Sequence, residues 1–247
     1  MVVTAHPEAS KVGIDILKKG GNAIDASIAV QFALAVVYPN AGNIGGGGFL
    51  VYRDAKGNTD ALDFREKAPL NAKEDMYWDK DGNAITDLSL YGQLAAGVPG
   101  TVDGMVKAHE KYGKLSWKEL VKPAINLAEK GFKITKQQAS ELTNKHNDFV
   151  RLNAKTNALT SKVNWVEGDL LIQADLAKTL KLIQQKGSKG FYEGKTADLI
   201  VKEMNRGNGI ISKKDLADYH SVWRTPVSGL YKGYKIISMP PPSSGGI

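Results

Sequence analysis

The chain has 247 residues, 42% of them hydrophobic and 24% charged, which is enough apolar material for one large domain or two small ones and does not indicate disorder. The 33 basic residues exceed the 26 acidic ones, for a net charge of +7, but they are scattered rather than clustered, which argues against a nucleic-acid interface. There is no cysteine, so disulfides, thiolate metal sites and a cysteine nucleophile are excluded together.

In chain order, Met1 to Thr4 suggests a short strand and lacks the basic opening of a signal peptide. Pro7 suits a first helical turn, and Ala9, Val12, Ile16 and Leu17 keep helical spacing until Gly20-Gly21. Ile24 to Val37 is apolar on nearly every face, with Asp25, Ser27 and Gln31 as exceptions. That pattern predicts an interior helix, too short for a membrane span of about twenty residues.

Gly42-Asn43-Ile44-Gly45-Gly46-Gly47-Gly48 comes next, glycine-rich and free to adopt positive φ or let backbone approach closely. No Lys-Ser or Lys-Thr follows it, and the next element is a strand, so it is not a phosphate-binding P-loop. Phe49 to Tyr52 and Thr59 to Arg65 read as a hairpin turned at Lys56-Gly57-Asn58. The two-residue period sets Leu62 and Phe64 against Ala61, Asp63 and Arg65. Arg65 thus ends a strand beside the glycine loop, on the more polar face. A guanidinium there can hold a carboxylate through two parallel hydrogen bonds. On residue type alone, the commoner reading is a surface arginine paired with Glu66 or Asp63.

Asn71 to Gln93 is irregular, and Asp79-Lys80-Asp81-Gly82-Asn83 reads as a turn, since it lacks the ligand spacing of a calcium loop. Thr101 is placed to cap a helix reaching Tyr112. Ser116-Trp117-Lys118-Glu119 is a capping box, and Pro123 predicts a kink or late start in the helix that follows. Thr135 caps a helix to about Asn153, and Ala154 to Trp165 is a loop. Ala174 to Lys186 and Lys195 to Arg206 are amphipathic helices, with Lys178, Lys181 and Lys186 on a solvated face. A short helix from Ser212 to Tyr219 precedes strands at Ser221 to Gly229 and Tyr234 to Met239. The order is α+β, with sheet-forming ends at about 1–70 and 220–247 around a helical middle at about 97–219.

His6, His109, His146 and His220 show no metal or triad spacing and read as exposed. Ser243-Ser244-Gly245-Gly246 lacks the strand-turn-helix setting of a nucleophile elbow.

Four stretches resemble one family in order along nearly the whole chain. They are Gly20 to Ala26; Gly42 to Phe49 with Asp63-Phe64-Arg65-Glu66-Lys67-Ala68-Pro69; Ala96 to Val102; and Met239-Pro240-Pro241-Pro242-Ser243-Ser244-Gly245-Gly246. Together they resemble the large subunit of γ-glutamyltranspeptidase (glutathione hydrolase), an N-terminal-nucleophile hydrolase. The resemblance implies a four-layer αββα sandwich, incomplete here because both subunits supply strands, with residues 1–247 forming a partial large subunit. It implies γ-glutamyl transfer from glutathione and related donors to water or an acceptor amine, through an acyl-enzyme on a threonine freed by self-cleavage. The Thr-Thr-His-Tyr-Ser motif around that threonine is not in the sequence, so no catalytic residue is assigned here and the chain alone is expected to be inactive. Arg65 matches the arginine that grips the donor's α-carboxylate. The paired serines of the family's oxyanion hole belong to the small subunit, so Ser243 and Ser244 do not inherit that role. No metal or organic cofactor is implied. The expected partners are the small subunit of the same precursor and the γ-glutamyl donor, with no nucleic acid and no membrane span, and the expected location is periplasmic or secreted. The alternatives are a poly-γ-glutamate depolymerase, a cephalosporin acylase, or a non-catalytic scaffold or binding fragment.

Overall fold

A computed structural model describes residues 1–246. Helix α1 (Pro7–Lys18) starts where His6 caps it, its Nδ1 accepting the Glu8 amide at 3.3 Å. Met1 to Thr4 is not a strand: it runs as irregular chain into that cap. Helix α2 (Ala23–Val37) is the interior one, with Ile28, Phe32 and Val36 wholly buried. Asp25, a polar exception on this helix, is fully buried with it. Its carboxylate accepts amide N–H groups from Asn22 (2.9 Å), Lys114 (2.9 Å) and Leu115 (3.2 Å), which replace the water it loses.

Strands β1 (Phe49–Arg53) and β2 (Thr59–Asp63) form the expected antiparallel hairpin, with Leu50 opposite Leu62 and Phe49 opposite Asp63. The irregular stretch that follows contains a short helix, α3 (Thr86–Leu90), and the Asp79–Asn83 turn, where Asp79 accepts amides from Asp81 and Asn83. Helix α4 (Thr101–Tyr112) is capped by Gly100 rather than Thr101. The Thr101 hydroxyl is buried and instead donates to Asn43 Oδ1 of the glycine loop at 2.6 Å. Helix α5 (Trp117–Lys130) starts on time, because the Ser116 amide and hydroxyl both donate to Glu119. Pro123 lies inside it without delaying it.

Beyond the short strand β3 (Phe132–Lys133), the single helix expected to Asn153 is two, α6 (Lys136–Asn144) and α7 (His146–Leu152), broken at Lys145 with φ −93° and ψ 0°. The break lets Phe149 of α7 pack against the core. Strand β4 (Leu170–Leu171) pairs with β3. Helices α8 (Ala174–Lys186), α9 (Lys189–Tyr192), α10 (Gly194–Arg206) and α11 (Lys213–Ala217) complete the helical middle. Lys178 and Lys181 face solvent, paired with Asp175 and Glu129.

The strand expected from Ser221 to Gly229 divides at Thr225-Pro226. Pro226 has no N–H for a ladder, and the chain changes partners there. Strand β5 (Val222–Arg224) joins β2 to make a three-stranded sheet ordered β1-β2-β5. Among the described residues, strands β6 (Val227–Tyr231) and β7 (Tyr234–Ser238) pair only with each other. The main core lies where α2 and α5 meet α8, and it extends under β2 through Leu62 and Phe64.

Candidate functional site

The site forms where β2 runs out. Phe64 still exchanges two backbone hydrogen bonds with Gly48 (3.1 and 3.2 Å), and Lys67 exchanges two with Val98 (2.8 and 3.2 Å). Arg65 and Glu66 therefore lie between two pinned backbone pairs. The glycine loop is tied to α4 as well, since the Gly46 carbonyl accepts from the amides of Gly100 (2.7 Å) and Thr101 (3.0 Å). Asn43 Oδ1 accepts the Gly46 amide at 3.0 Å, which shapes the loop from within.

The close backbone approach expected of the glycines is the use realised. None of Gly45 to Gly48 has a positive φ. A Cβ at Gly47 would sit 2.5 Å from the Phe64 carbonyl oxygen and 2.7 Å from the Glu66 nitrogen, so only a residue without one lets the loop lie against this segment.

Arg65 itself is held by its backbone and open at its side chain. Its amide donates to Asp63 Oδ1 at 3.0 Å, and its carbonyl accepts the Tyr219 hydroxyl at 2.8 Å. The side chain is 60% exposed, and Nη1 lies 3.5 Å from Glu66 Oε2. Such a solvated pair contributes little to stability. Asp63 does not pair with the Arg65 guanidinium: it is buried, and Arg224 of β5 holds its Oδ2 through Nε (2.8 Å) and Nη2 (2.7 Å). The supposedly more polar face of β2 is thus an internal ion pair, and Arg65 lies past the strand's end.

Three further groups complete the surroundings. Lys67 Nζ donates to the His220 carbonyl at 2.8 Å and sits 4.9 Å above the Tyr219 ring. Tyr219 stacks on Tyr192, with ring centroids 5.8 Å apart and planes within 4°. The Tyr192 hydroxyl donates to the Pro99 carbonyl at 2.8 Å. Burial pushes both phenols well above their ordinary titration range, so each remains a proton donor. Nothing in sequence marked Tyr219, Tyr192 or Arg224, which come from distant stretches without a motif of their own.

The remaining candidates lie elsewhere. Ser243 Oγ accepts the Gly245 amide at 3.2 Å, and among the described residues no histidine or carboxylate hydrogen-bonds either Ser243 or Ser244. Three histidines read as exposed are not, His146 being half-buried on α7. His6 is buried, which lowers its pKa, and His109 is half-buried with Nε2 2.8 Å from the Leu115 carbonyl oxygen. His220 is exposed. Among the described residues no cluster of His, Asp or Glu could hold a metal ion, and no helix is long and apolar enough to cross a membrane.

An arginine on a fixed backbone, beside a loop that has no room for a side chain at Gly47, is suited to hold a carboxylate. Residues 9–247 match the family described as Gamma-glutamyltranspeptidase. The chain belongs to that family. Over its whole length it is 51% identical to the glutathione hydrolase proenzyme of Pseudomonas sp. (strain A14), covering 43% of that protein. It is 38% identical to the Acylase ACY 1 proenzyme of Pseudomonas sp. (strain V22), covering 100% of this chain and 46% of the relative. Its fold superposes on the crystal structure of Helicobacter pylori γ-glutamyltranspeptidase with a TM-score of 0.95 at 51% identity, over 100% of this chain and 71% of that one. The architecture is part of the N-terminal-nucleophile hydrolase αββα sandwich. The chain spans less than half the length of these curated relatives.

Proposed function

We propose that residues 1–247 are a partial large subunit of a γ-glutamyl-transferring hydrolase, and that Arg65 holds the donor's α-carboxylate. The observation that carries this reading is the division within Arg65: its backbone is bonded on both sides, while its guanidinium is open to solvent with only Glu66 beside it. Two parallel N–H···O bonds from that fork fix a carboxylate in both position and angle, so the γ-carbonyl arrives with one orientation. In the reaction, the threonine oxygen outside these residues attacks the γ-carbonyl, its proton passes to the departing amine, and the C–N bond breaks. Water or an acceptor amine then takes the γ-glutamyl group, and the threonine regains its proton. The partners in this reading are the small subunit of the same precursor and glutathione or a related donor, in a periplasmic or secreted setting.

The test uses the complete protein with γ-glutamyl-p-nitroanilide and with 4-aminobutyryl-p-nitroanilide, which lacks only the α-carboxylate. Arg65→Lys keeps the charge but loses the fork, and kcat/KM for the first donor should fall about ten- to a hundredfold. Arg65→Ala should fall further, and both variants should change the second donor much less. Equal losses on both donors, with a lower melting temperature, would make Arg65 a brace of the fold instead.

The acylase similarity favours a second reading, in which the acyl group is not γ-glutamyl. Turnover of an acylated β-lactam, without release from γ-glutamyl-p-nitroanilide, would establish it.

A further inference from the structure

Beyond the backbone pairs at Phe64 and Lys67, the amide and carbonyl of Arg65 itself are braced from one distant segment. Tyr219 reaches its carbonyl directly, at 2.8 Å. Arg224 holds Asp63 through two bonds, and Asp63 in turn accepts the Arg65 amide. Between these two residues, Ser221 is fastened to α4. Its amide (2.7 Å) and hydroxyl (2.5 Å) donate to Asp103 Oδ2, and Lys107 Nζ donates to its carbonyl (2.5 Å). Residues 219–224 thus connect Asp103 and Lys107 of α4 to both sides of the Arg65 peptide.

We propose that Tyr219 is a positioning residue for Arg65, whose hydroxyl fixes the backbone from which the guanidinium reaches the donor's α-carboxylate. The inference rests on the reading of Arg65 given above. A buried phenol hydroxyl has to find an acceptor, and a packing role alone would be served by any carbonyl in reach. Here the path to one particular carbonyl is kept clear. A Cβ at Gly100 would lie 2.0 Å from the Tyr219 hydroxyl oxygen and 2.2 Å from the Phe64 carbonyl oxygen. The ring is independently held by its stack on Tyr192 and by Lys67 above it, so the hydroxyl is free to act on Arg65 alone. A side chain as long as arginine magnifies small backbone rotations at its tip, so anchoring the carbonyl narrows where the fork can be found.

The experiment measures kcat and KM of the complete protein on γ-glutamyl-p-nitroanilide and 4-aminobutyryl-p-nitroanilide for the parent, Tyr219→Phe, Tyr192→Phe and Arg65→Ala. Phenylalanine at 219 preserves the stack and the Lys67 contact, so it removes the hydroxyl and little else. Tyr219→Phe should lower kcat/KM for the γ-glutamyl donor about three- to tenfold, mainly through KM, and leave the carboxylate-free donor within about twofold. Tyr192→Phe keeps the stack and loses the bond to the Pro99 carbonyl and the long one (3.4 Å) from the Asp103 amide, neither of which touches Arg65, so it should leave the ratio between donors within about twofold of the parent and thus controls for general loosening. If Arg65→Ala is selective between donors and Tyr219→Phe is not, the positioning role is overturned while the Arg65 reading stands. If Arg65→Ala affects both donors equally, both fall together.

Discussion

The hairpin β1–β2, with its extension to Lys67, and the hairpin β6–β7 use much the same strand-forming residues in opposite circumstances. In the first, Ala61 and Leu62 are wholly buried, because β2 is bonded on both edges and lies over the core. In the second, Leu230 is 81% and Tyr234 74% exposed, because among the described residues each strand has only the other for a partner. A two-stranded hairpin without a covering layer is marginal in water. The lesson concerns Arg65: its segment takes its geometry from contacts already present in this chain, whereas β6–β7 draws little support from the rest of it.

The sharpest way to break that comparison is to hollow out the supported side. Phe64 is buried against Gly48 and Gly104 and precedes Arg65 directly. Phe64→Ala should cost about 3–5 kcal/mol in urea or thermal unfolding. A cost comparable to that of a surface change would mean that the Arg65 segment is no better supported than β6–β7.

A smaller effect is expected where the segment leaves the site. Asp215 accepts the Leu70 amide at 2.7 Å, the Ser212 amide at 2.7 Å and the Ser212 hydroxyl at 2.5 Å. Burial raises its pKa, but the bonds from Ser212 and Leu70 outweigh that and hold it below the ordinary aspartate value. A carboxylate depressed in the folded state stabilises above its unfolded pKa of about 4, and that contribution disappears as pH falls through the folded value. Asp215→Asn should lose about 1.5–3 kcal/mol at pH 7 and flatten the acid limb of a melting-temperature profile. An unchanged acid limb would show that another carboxylate governs it.

The smallest effect belongs to the unsupported side. Leu230→Lys should change the stability of this chain by no more than about 0.5 kcal/mol, read from the same unfolding curves. A loss of several times that would show that β6–β7 is packed in solution, and the contrast between the two hairpins would fail.

Much of the architecture could be read because its signals are local. Capping residues Ser116 and Thr135 decided the starts of α5 and α6 within three positions. The misreadings occurred where a local signal met a distant partner. Asp25 looked like a polar exception on α2 until the Lys114 and Leu115 amides reached it. Thr101 looked like a cap until Asn43 took its hydroxyl. The continuous strand from Ser221 looked sound until Pro226 separated a strand belonging to β2 from one belonging to β7.

For the site, residue order alone placed an arginine at about the end of a strand next to a glycine-rich loop, because spacing along one strand and the lack of side chains are properties of neighbours in the chain; the strand itself stops two residues earlier, at Asp63. Which groups would hold that arginine was decided only by the tertiary structure. Tyr219 lies 154 residues from Arg65, and Arg224 lies 161 from Asp63. Neither contact has a periodicity, a cap or a turn to announce it. Each arises because α4 and β5 bring residues 219–224 against the end of β2, where a buried carboxylate and a backbone carbonyl need donors that no nearby residue supplies.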